Sequence, residues 1–263
     1  LTGFSGNNVA RSIILSDLVY GLGVSAPKPS RSVQADLDAV FAARGWLSEH
    51  PATFRALMIR SGVVVEAQDG SFVFRQDDDS DGLFGIINGA ISVEGGHRRQ
   101  SPLMGHVMRA GEWFGLKAVV HGGPRELTYR TLEPTRLLCV SRTRLVPLMQ
   151  ADTDIAIRVG QLGEIGSRLG TWIARDLLTP DAGRRLASVL YRVLGAGEVR
   201  PGDPEGFRLT HQQLGEMANL SRHHVGRKLA TFEAAGWIAC GYNRIRLQDA
   251  EGLAAFAYGE DEA

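Results

Sequence analysis

Between Gly62 and Ser141 apolar residues come in short runs: VVVE, SFVFR, LFGII, AISVE, LMGHVM, ELTYRTL and RLLCVS. Turn-forming residues break them every few positions, Asn88-Gly89 and Glu133-Pro134 among them. Runs this short and this often punctuated predict antiparallel strands closed into a sandwich, barrel or jelly roll. On both sides the spacing becomes helical. Upstream, Leu37, Val40 and Phe41 predict a short helix over Asp36–Arg44 that stops at Gly45, and Phe54–Ile59 follows as a second helical piece. Downstream, Ile155, Val159, Leu162, Gly166, Leu169 and Ile173 alternate four- and three-residue steps within a pattern from about Ala151 to Leu178. That heptad seam predicts a long helix paired lengthwise with a copy of itself; the alternative is an amphipathic helix lying on its own domain. Gly160, Gly163, Gly166 and Gly170 soften it, each by roughly 0.8–1.0 kcal/mol relative to alanine. Thr179-Pro180 ends the helix, and Leu186, Val189, Leu190 and Val193 mark Ala182–Leu194 as amphipathic.

A tighter pattern lies in LTHQQLGEMANLSRHHVGRKLATFEAAGWI, residues 209–238. Thr210 and Gln213 form a capping-box pair that opens a helix over His211–Met217. Gly215 leaves room for a second helix to cross closely. Asn219 suits a left-handed turn position, and Ser221 caps the next helix. On that second helix Val225, Leu229 and Phe232 share one face, while His223 and Arg227 share the other, followed by Ala230 and Ala234. Arg222 and His224 flank them in the first turn. Long polar groups at the start and small residues beyond suit a helix whose N-terminal part enters a major groove. Trp237–Leu247 predicts a β-hairpin turning at Gly-Tyr-Asn, a wing with Arg244 near its tip.

Composition narrows the partners. The 263-residue chain is 44% apolar and 22% charged with zero formal net charge, so any nucleic-acid partner must be met by a local patch. One exists: residues 207–246 hold six basic side chains against Glu216 and Glu233, with three histidines besides. Cys139 and Cys240 form no CxxC or Cys/His cluster, which argues against a zinc site or disulfide framework, and Cys139 reads as a small core residue. The run Asp77–Asp81 lacks calcium-loop spacing and reads as a solvated turn. Residues 11–26 faintly resemble a secretory signal but Asp17 interrupts their apolar run; with no stretch of 18 apolar residues, a cytoplasmic protein without a membrane partner is expected.

Taken together, L-T-x-x-x-L-G (209–215), L-S-R-x-x-V-G-R (220–227) and the E-x-x-G-W-I ending at Ile238 resemble the winged helix-turn-helix of the Crp/Fnr transcription regulators. GLFGIINGAISV (82–93), GEWFG (111–115), Pro124-Arg125 and TRLLCVSR resemble that family's sensor strands and turns in the same order. The resemblance implies an α+β protein divided into an extension or linker (1–34), a cyclic-nucleotide-binding-like jelly roll (35–150), a dimerisation helix (151–179) and a winged helix-turn-helix domain (180–263). It implies double-stranded DNA, a second copy of the chain and RNA polymerase as partners, and no catalytic residues. Arg222, His223 and Arg227 become the base-contacting set, and Gln212, Ser221, His224, Lys228 and Arg244 the phosphate-contacting set. The effector pocket falls on Phe114, Gly115, Leu116, Arg125 and Glu126.

Two departures bear on the effector. Leu116 stands where the family carries a glutamate for the ribose, and Glu126 follows Arg125 where the family has a serine. Both argue against cyclic AMP. An iron–sulfur cluster lacks its N-terminal cysteines, and His97, His106 and His121 are weak grounds for haem, which leaves the cofactor unknown. The same histidines lack the spacing of a cupin-type metalloenzyme. A nucleotide-binding-like module that regulates a protein partner remains the other alternative.

Overall fold

The computed structural model describes residues 31–79, 82–96, 103–194 and 206–259. The signal-like stretch, His97, Asp81 and most of the turn-rich loop after Leu194 lie outside the described residues. The described residues open with α1 (Arg31–Ala43), a 3-10 turn at Trp46–Glu49 and α2 (Ala52–Ser61). Strands β1 (Val63–Ala67), β2 (Phe72–Phe74), β3 (Leu83–Asn88), β4 (Ala90–Gly95), β5 (Leu103–Arg109) and β6 (Trp113–Phe114) follow. The short α3 (Leu116–Val120) precedes β7 (Thr128–Thr131) and β8 (Thr135–Val140). Next come α4 (Arg142–Ala151), the long α5 (Thr153–Leu178) and α6 (Ala182–Leu194). The C-terminal part holds β9 (Phe207–Arg208), α7 (His211–Ala218), α8 (Arg222–Ala234), β10 (Ile238–Gly241), β11 (Arg244–Leu247) and α9 (Ala250–Tyr258).

Each of the seven predicted apolar runs is a strand, and with the short β6 they form two antiparallel four-stranded sheets, ordered β1-β8-β3-β6 and β2-β7-β4-β5. The central strands of the first sheet explain why the strands close over each other. Phe84, Ile86, Leu137 and Cys139 point into the sandwich, where Phe74, Ile91, Met108 and Phe114 meet them. Leu83, Ile87, Leu138 and Val140 alternate to the other face. That outer face would be wet if α1, α2, α4 and α5 did not cover it, with Leu37, Phe41, Phe54, Met58 and Leu145 among the covering side chains.

Covering that face corrects the seam expected on the long helix. Ile155, Val159 and Leu162 are buried against their own chain, in the same cluster as Trp113 and Leu138. They are not available to a second copy. Leu169 and Ile173 are half-buried and Gly166 is exposed, while Ile157, Trp172, Leu177 and Leu178 stand out as large exposed apolar residues. Only the N-terminal half of the seam is a buried stripe, and it faces inward because the sheet demands a lid there.

An aromatic cluster locks α5 to the N-terminal helices. Trp46 lies edge-on to His50, Phe54 and Trp113, at 5.3, 5.6 and 5.5 Å between ring centres. Trp46 Nε1 donates to the Arg158 carbonyl at 3.0 Å, and Arg158 Nη1 donates to His50 Nδ1 at 3.2 Å. Arginine can only donate, so His50 accepts and its ring is neutral. Burial, reinforced by the Arg158 charge, lowers the His50 pKa below the ordinary 6.5. The unfolded chain then binds the proton more readily, so this site's contribution to stability falls as pH drops from 6.5 toward the folded value. We expect the melting temperature to decline between pH 7 and pH 5.5, with a shallower decline in His50→Phe. Equal slopes in the two proteins would remove His50 from the account.

Candidate nucleic-acid interface and sensor cavity

Local rules set the geometry of α7 and α8. Thr210 Oγ1 accepts from the Gln213 backbone at 3.2 Å, and Gln213 Oε1 accepts from the Thr210 backbone at 2.8 Å, which closes the capping box. Asn219 ends α7 in the left-handed region at φ 51°, ψ 54°, and Leu220 N donates to the Gly215 carbonyl at 2.8 Å. Ser221 Oγ caps α8 through the His224 N–H at 3.3 Å and also meets the His224 ring. The turn approaches α7 so closely that a Cβ on Gly215 would lie 2.5 Å from the Leu220 carbonyl oxygen.

The second helix has two opposed faces. Val225, Leu229 and Phe232 are fully buried with Leu214 and Met217 of α7 and Leu186, Leu190 and Val193 of α6. Arg222, His223 and Arg227 are exposed, and their side chains have no hydrogen bond or ion pair among the described residues. Gln212 is exposed on α7, where it donates to Glu216 at 3.3 Å. Ser221 and His224 stand at the same end.

The other two residues of the expected phosphate set are oriented differently. Lys228 turns back toward α6: a Cβ on Gly183 would lie 3.1 Å from its Nζ. The Asp181 carboxyl is held below its usual range, first by the Arg184 backbone N–H and also by the Lys228 charge. Arg244 Nη1 donates to the Gly206 carbonyl at 2.8 Å and so staples the wing rather than projecting from it. Arg208 likewise meets Asp69 at 2.9 Å. The basic excess in the sequence therefore overstates the outward charge, because Arg208, Lys228 and Arg244 lean on their own chain and Arg246 also has a partner there.

The wing is the predicted hairpin β10–β11, turning at Tyr242 and the left-handed Asn243, with β9 added as a third strand. Tyr242 at its tip is 94% exposed and was not singled out from the sequence. Helix α9 is a further unpredicted element; its Phe256 packs on Trp237 at 5.0 Å and anchors the hairpin.

In the sensor half, Phe114, Gly115, Leu116, Arg125 and Glu126 come together along a cavity of about 1330 Å³. Phe114 stacks between Phe84 (5.4 Å) and Tyr129 (4.5 Å), and burial pushes the Tyr129 phenol up to about 12. Gly115 takes φ 101°, where a side chain would strike the Gly82 carbonyl. Arg125 is buried. Its guanidinium lies 4.0 Å above Phe74, donating from Nη1 to the Gly115 carbonyl at 3.2 Å and from Nη2 to the Gly82 carbonyl at 3.1 Å. Leu116 is half-buried and packs on the lid cluster. The exposed Glu126 carboxylate, next to Arg125, pairs with Lys117 Nζ. His106 accepts from Arg192 at 2.8 Å and His121 is exposed; among the described residues no three His, Cys, Asp or Glu side chains gather as a metal site. No helix among those residues is long and apolar enough to cross a membrane.

Residues 64–152 match the cyclic nucleotide-binding domain and residues 184–256 the Crp-like helix-turn-helix domain. The two matches together take in more than half of the chain. The chain is similar to the CRP-like cAMP-activated global transcriptional regulator of Mycobacterium tuberculosis, with 26% identity over 200 residues, 72% of this chain and 86% of that protein. It is also similar to the HTH-type transcriptional regulator Cmr of the same organism, with 26% identity over 74% of this chain and 76% of that one. Among solved structures, FixK2 of Bradyrhizobium japonicum shares the fold at a TM-score of 0.65 and 17% identity, covering 76% of this chain and 98% of that one. The c-di-GMP responsive global regulator CLP of Xanthomonas campestris shares it at a TM-score of 0.59 and 22% identity, covering 75% and 99%.

The turn offers a direct test. Alanine at Gly215 improves helix propensity by about 0.8–1.0 kcal/mol, yet its methyl must displace backbone that cannot give way, at a cost toward the upper end of roughly 1–3 kcal/mol. Gly215→Ala is expected to lose about 1–2 kcal/mol of stability in urea unfolding. A stabilised variant would mean that α7 and the turn have slack.

Proposed function

The chain belongs to the Crp/Fnr family of transcription regulators, and we propose that it acts as a homodimer reading a near-palindromic DNA site with α8 of each copy. The observation that carries this reading is the division of α8, with an apolar face sealed into the helix bundle and Arg222, His223 and Arg227 exposed without partners. Arg222 and Arg227 can each donate a bidentate pair to guanine O6 and N7, worth about 1–3 kcal/mol of discrimination. His223 lies between them where the catabolite activator protein carries a glutamate. A neutral imidazole both donates and accepts, so the middle of the half-site differs from that protein's preference. Gln212, Ser221 and His224 hold phosphates and set register. Lys228 and Arg244, turned to their own chain, belong less well to that set.

In the same reading the segments divide as a sensor over 35–150, a dimerisation helix over 151–179 and a DNA-binding domain over 180–263, with RNA polymerase as a further partner. The exposed Trp172 and Leu177, together with the open surface at Gly166 and Gly170, support dimerisation along the C-terminal half of α5, where the sheet no longer covers the stripe. Half-sites must then present successive major grooves about 34–36 Å apart.

The sensor is read as altered. The Mycobacterium tuberculosis relative is named as cAMP-activated and the Xanthomonas protein as responsive to c-di-GMP. Here Leu116 offers no carboxylate to a ribose, and Arg125 is already bonded to two backbone carbonyls. We therefore read cyclic AMP as not the effector. Titration calorimetry with cyclic AMP is expected to give no micromolar binding; a saturable isotherm in that range would overturn this part.

For DNA, selection from a random duplex pool is expected to recover a two-fold site. Arg222→Ala/Arg227→Ala should weaken binding to it by at least about thirtyfold, from two lost contacts of roughly 1–3 kcal/mol each. Full affinity in that double variant would sink the assignment of α8.

A further inference from the structure

Arg192 of α6 is a buried junction between three separate parts of the chain. Its Nε donates to Asp176 Oδ2 near the end of α5 at 2.8 Å; the Asp176 and Arg192 side chains are 1% and 5% exposed. Its Nη1 donates to His106 Nδ1 on β5 at 2.8 Å and approaches the Gly105 carbonyl at 3.4 Å. Because arginine has no acceptor, the His106 ring accepts and is neutral in this arrangement. One guanidinium therefore ties the long helix, the first helix of the DNA-binding part and a sensor strand to one point.

The rest of β5 continues the same docking line. Its pairing with β4 slips at Gly105, where His106 faces Val93 and Met104 faces Glu94. This bulge lets Met104 and Val107 both join the apolar cluster of α6, α7 and α8, while His106 meets Arg192. Met104 N, on the edge strand of its sheet, donates to Glu216 of α7 at 3.1 Å. Farther along, the Arg109 guanidinium lies 3.4 Å from the ring centre of Phe207, and Arg208 pairs with Asp69. With the unit docked in this way, Arg222, His223 and Arg227 remain uncovered.

We propose that Arg192 is a latch holding the DNA-reading unit against β5 in its binding orientation, so that the protein reads its site without a ligand. This rests on the DNA-binding reading above. The physical reason is preorganisation: a unit fixed before the encounter loses less orientational freedom on binding than one swinging on a tether. The node also forms part of the cavity wall, so the latch and the sensor space are contiguous.

The test uses the full chain and two variants. His106→Phe removes one arm of the junction and keeps the Arg192–Asp176 pair. Asp176→Leu/Arg192→Met removes the buried pair without stranding either charge. Hydrogen exchange is expected to speed up at least tenfold in peptides covering β5, with peptides of α7 and α8 unchanged, and affinity for the selected site without added ligand is expected to fall about tenfold in both variants. Unchanged β5 exchange in both variants overturns the latch. So does faster exchange accompanied by equal or tighter DNA binding. Failure of the wild-type protein to select a site without added ligand also overturns the proposal, whereas full affinity in Arg222→Ala/Arg227→Ala overturns the reading of α8 instead, and the exchange rates of β5 still report whether Arg192 holds the dock.

Discussion

Burial of β3 and β8 on both faces is the constraint from which the N-terminal architecture follows. These strands sit in the middle of their sheet, and their side chains alternate between the sandwich interior and the outer face. A sheet with two apolar faces needs two covers. The second sheet supplies one, and α1, α2, α4 and the first half of α5 supply the other. Each fully buried Val or Leu side chain contributes roughly 1.5–3 kcal/mol. Three such residues at Ile155, Val159 and Leu162 thus commit α5 firmly to its own sensor. Along the rest of the helix the same stripe is less covered, with Gly166 exposed and Leu169 and Ile173 half-buried.

The C-terminal part obeys the same economy at smaller scale. A capping box, a left-handed Asn219 and a hydroxyl cap satisfy the helix ends locally, so α7 and α8 meet at a fixed angle without help from the wing. The apolar face of α8 is saturated by α6 and α7, which leaves Arg222 and Arg227 nothing to do within the chain. Lys228, one step around the helix from Arg227, faces the start of α6 and Asp181 instead. A single helical step separates a side chain available to a partner from one that faces a carboxylate of its own chain.

Much of this was legible from residue order alone. The strand runs, the bounds of α6, the capping box and the Asn219 conformation are all local consequences of side-chain spacing and turn chemistry. Elements without a local signal were missed. Helix α4 contains Pro147, which reads as a break; α9 is dominated by alanine; β9 has only two residues. Periodicity on α5 identified a buried stripe but could not say which surface buries it. The five sensor residues line one cavity, yet the Arg125 bonds to Gly82 and Gly115 and the Glu126–Lys117 pair depend on chain crossings that spacing does not encode. The Arg192 junction is the extreme case, since His106 lies 86 positions away and Asp176 lies 16 away.

The bulged strand β5 has a consequence beyond DNA binding. It is the last strand of its sheet, and α7 covers it, with the Glu216 carboxylate occupying the Met104 N–H. An uncovered sheet edge bearing Met104 and Val107 is a template on which another chain can pair. The docked helix therefore also shields the protein from aggregation. A molecule whose DNA-reading unit has come away from β5 is one with an open, sticky edge, so the contacts that orient the unit also keep the protein dispersed at high concentration.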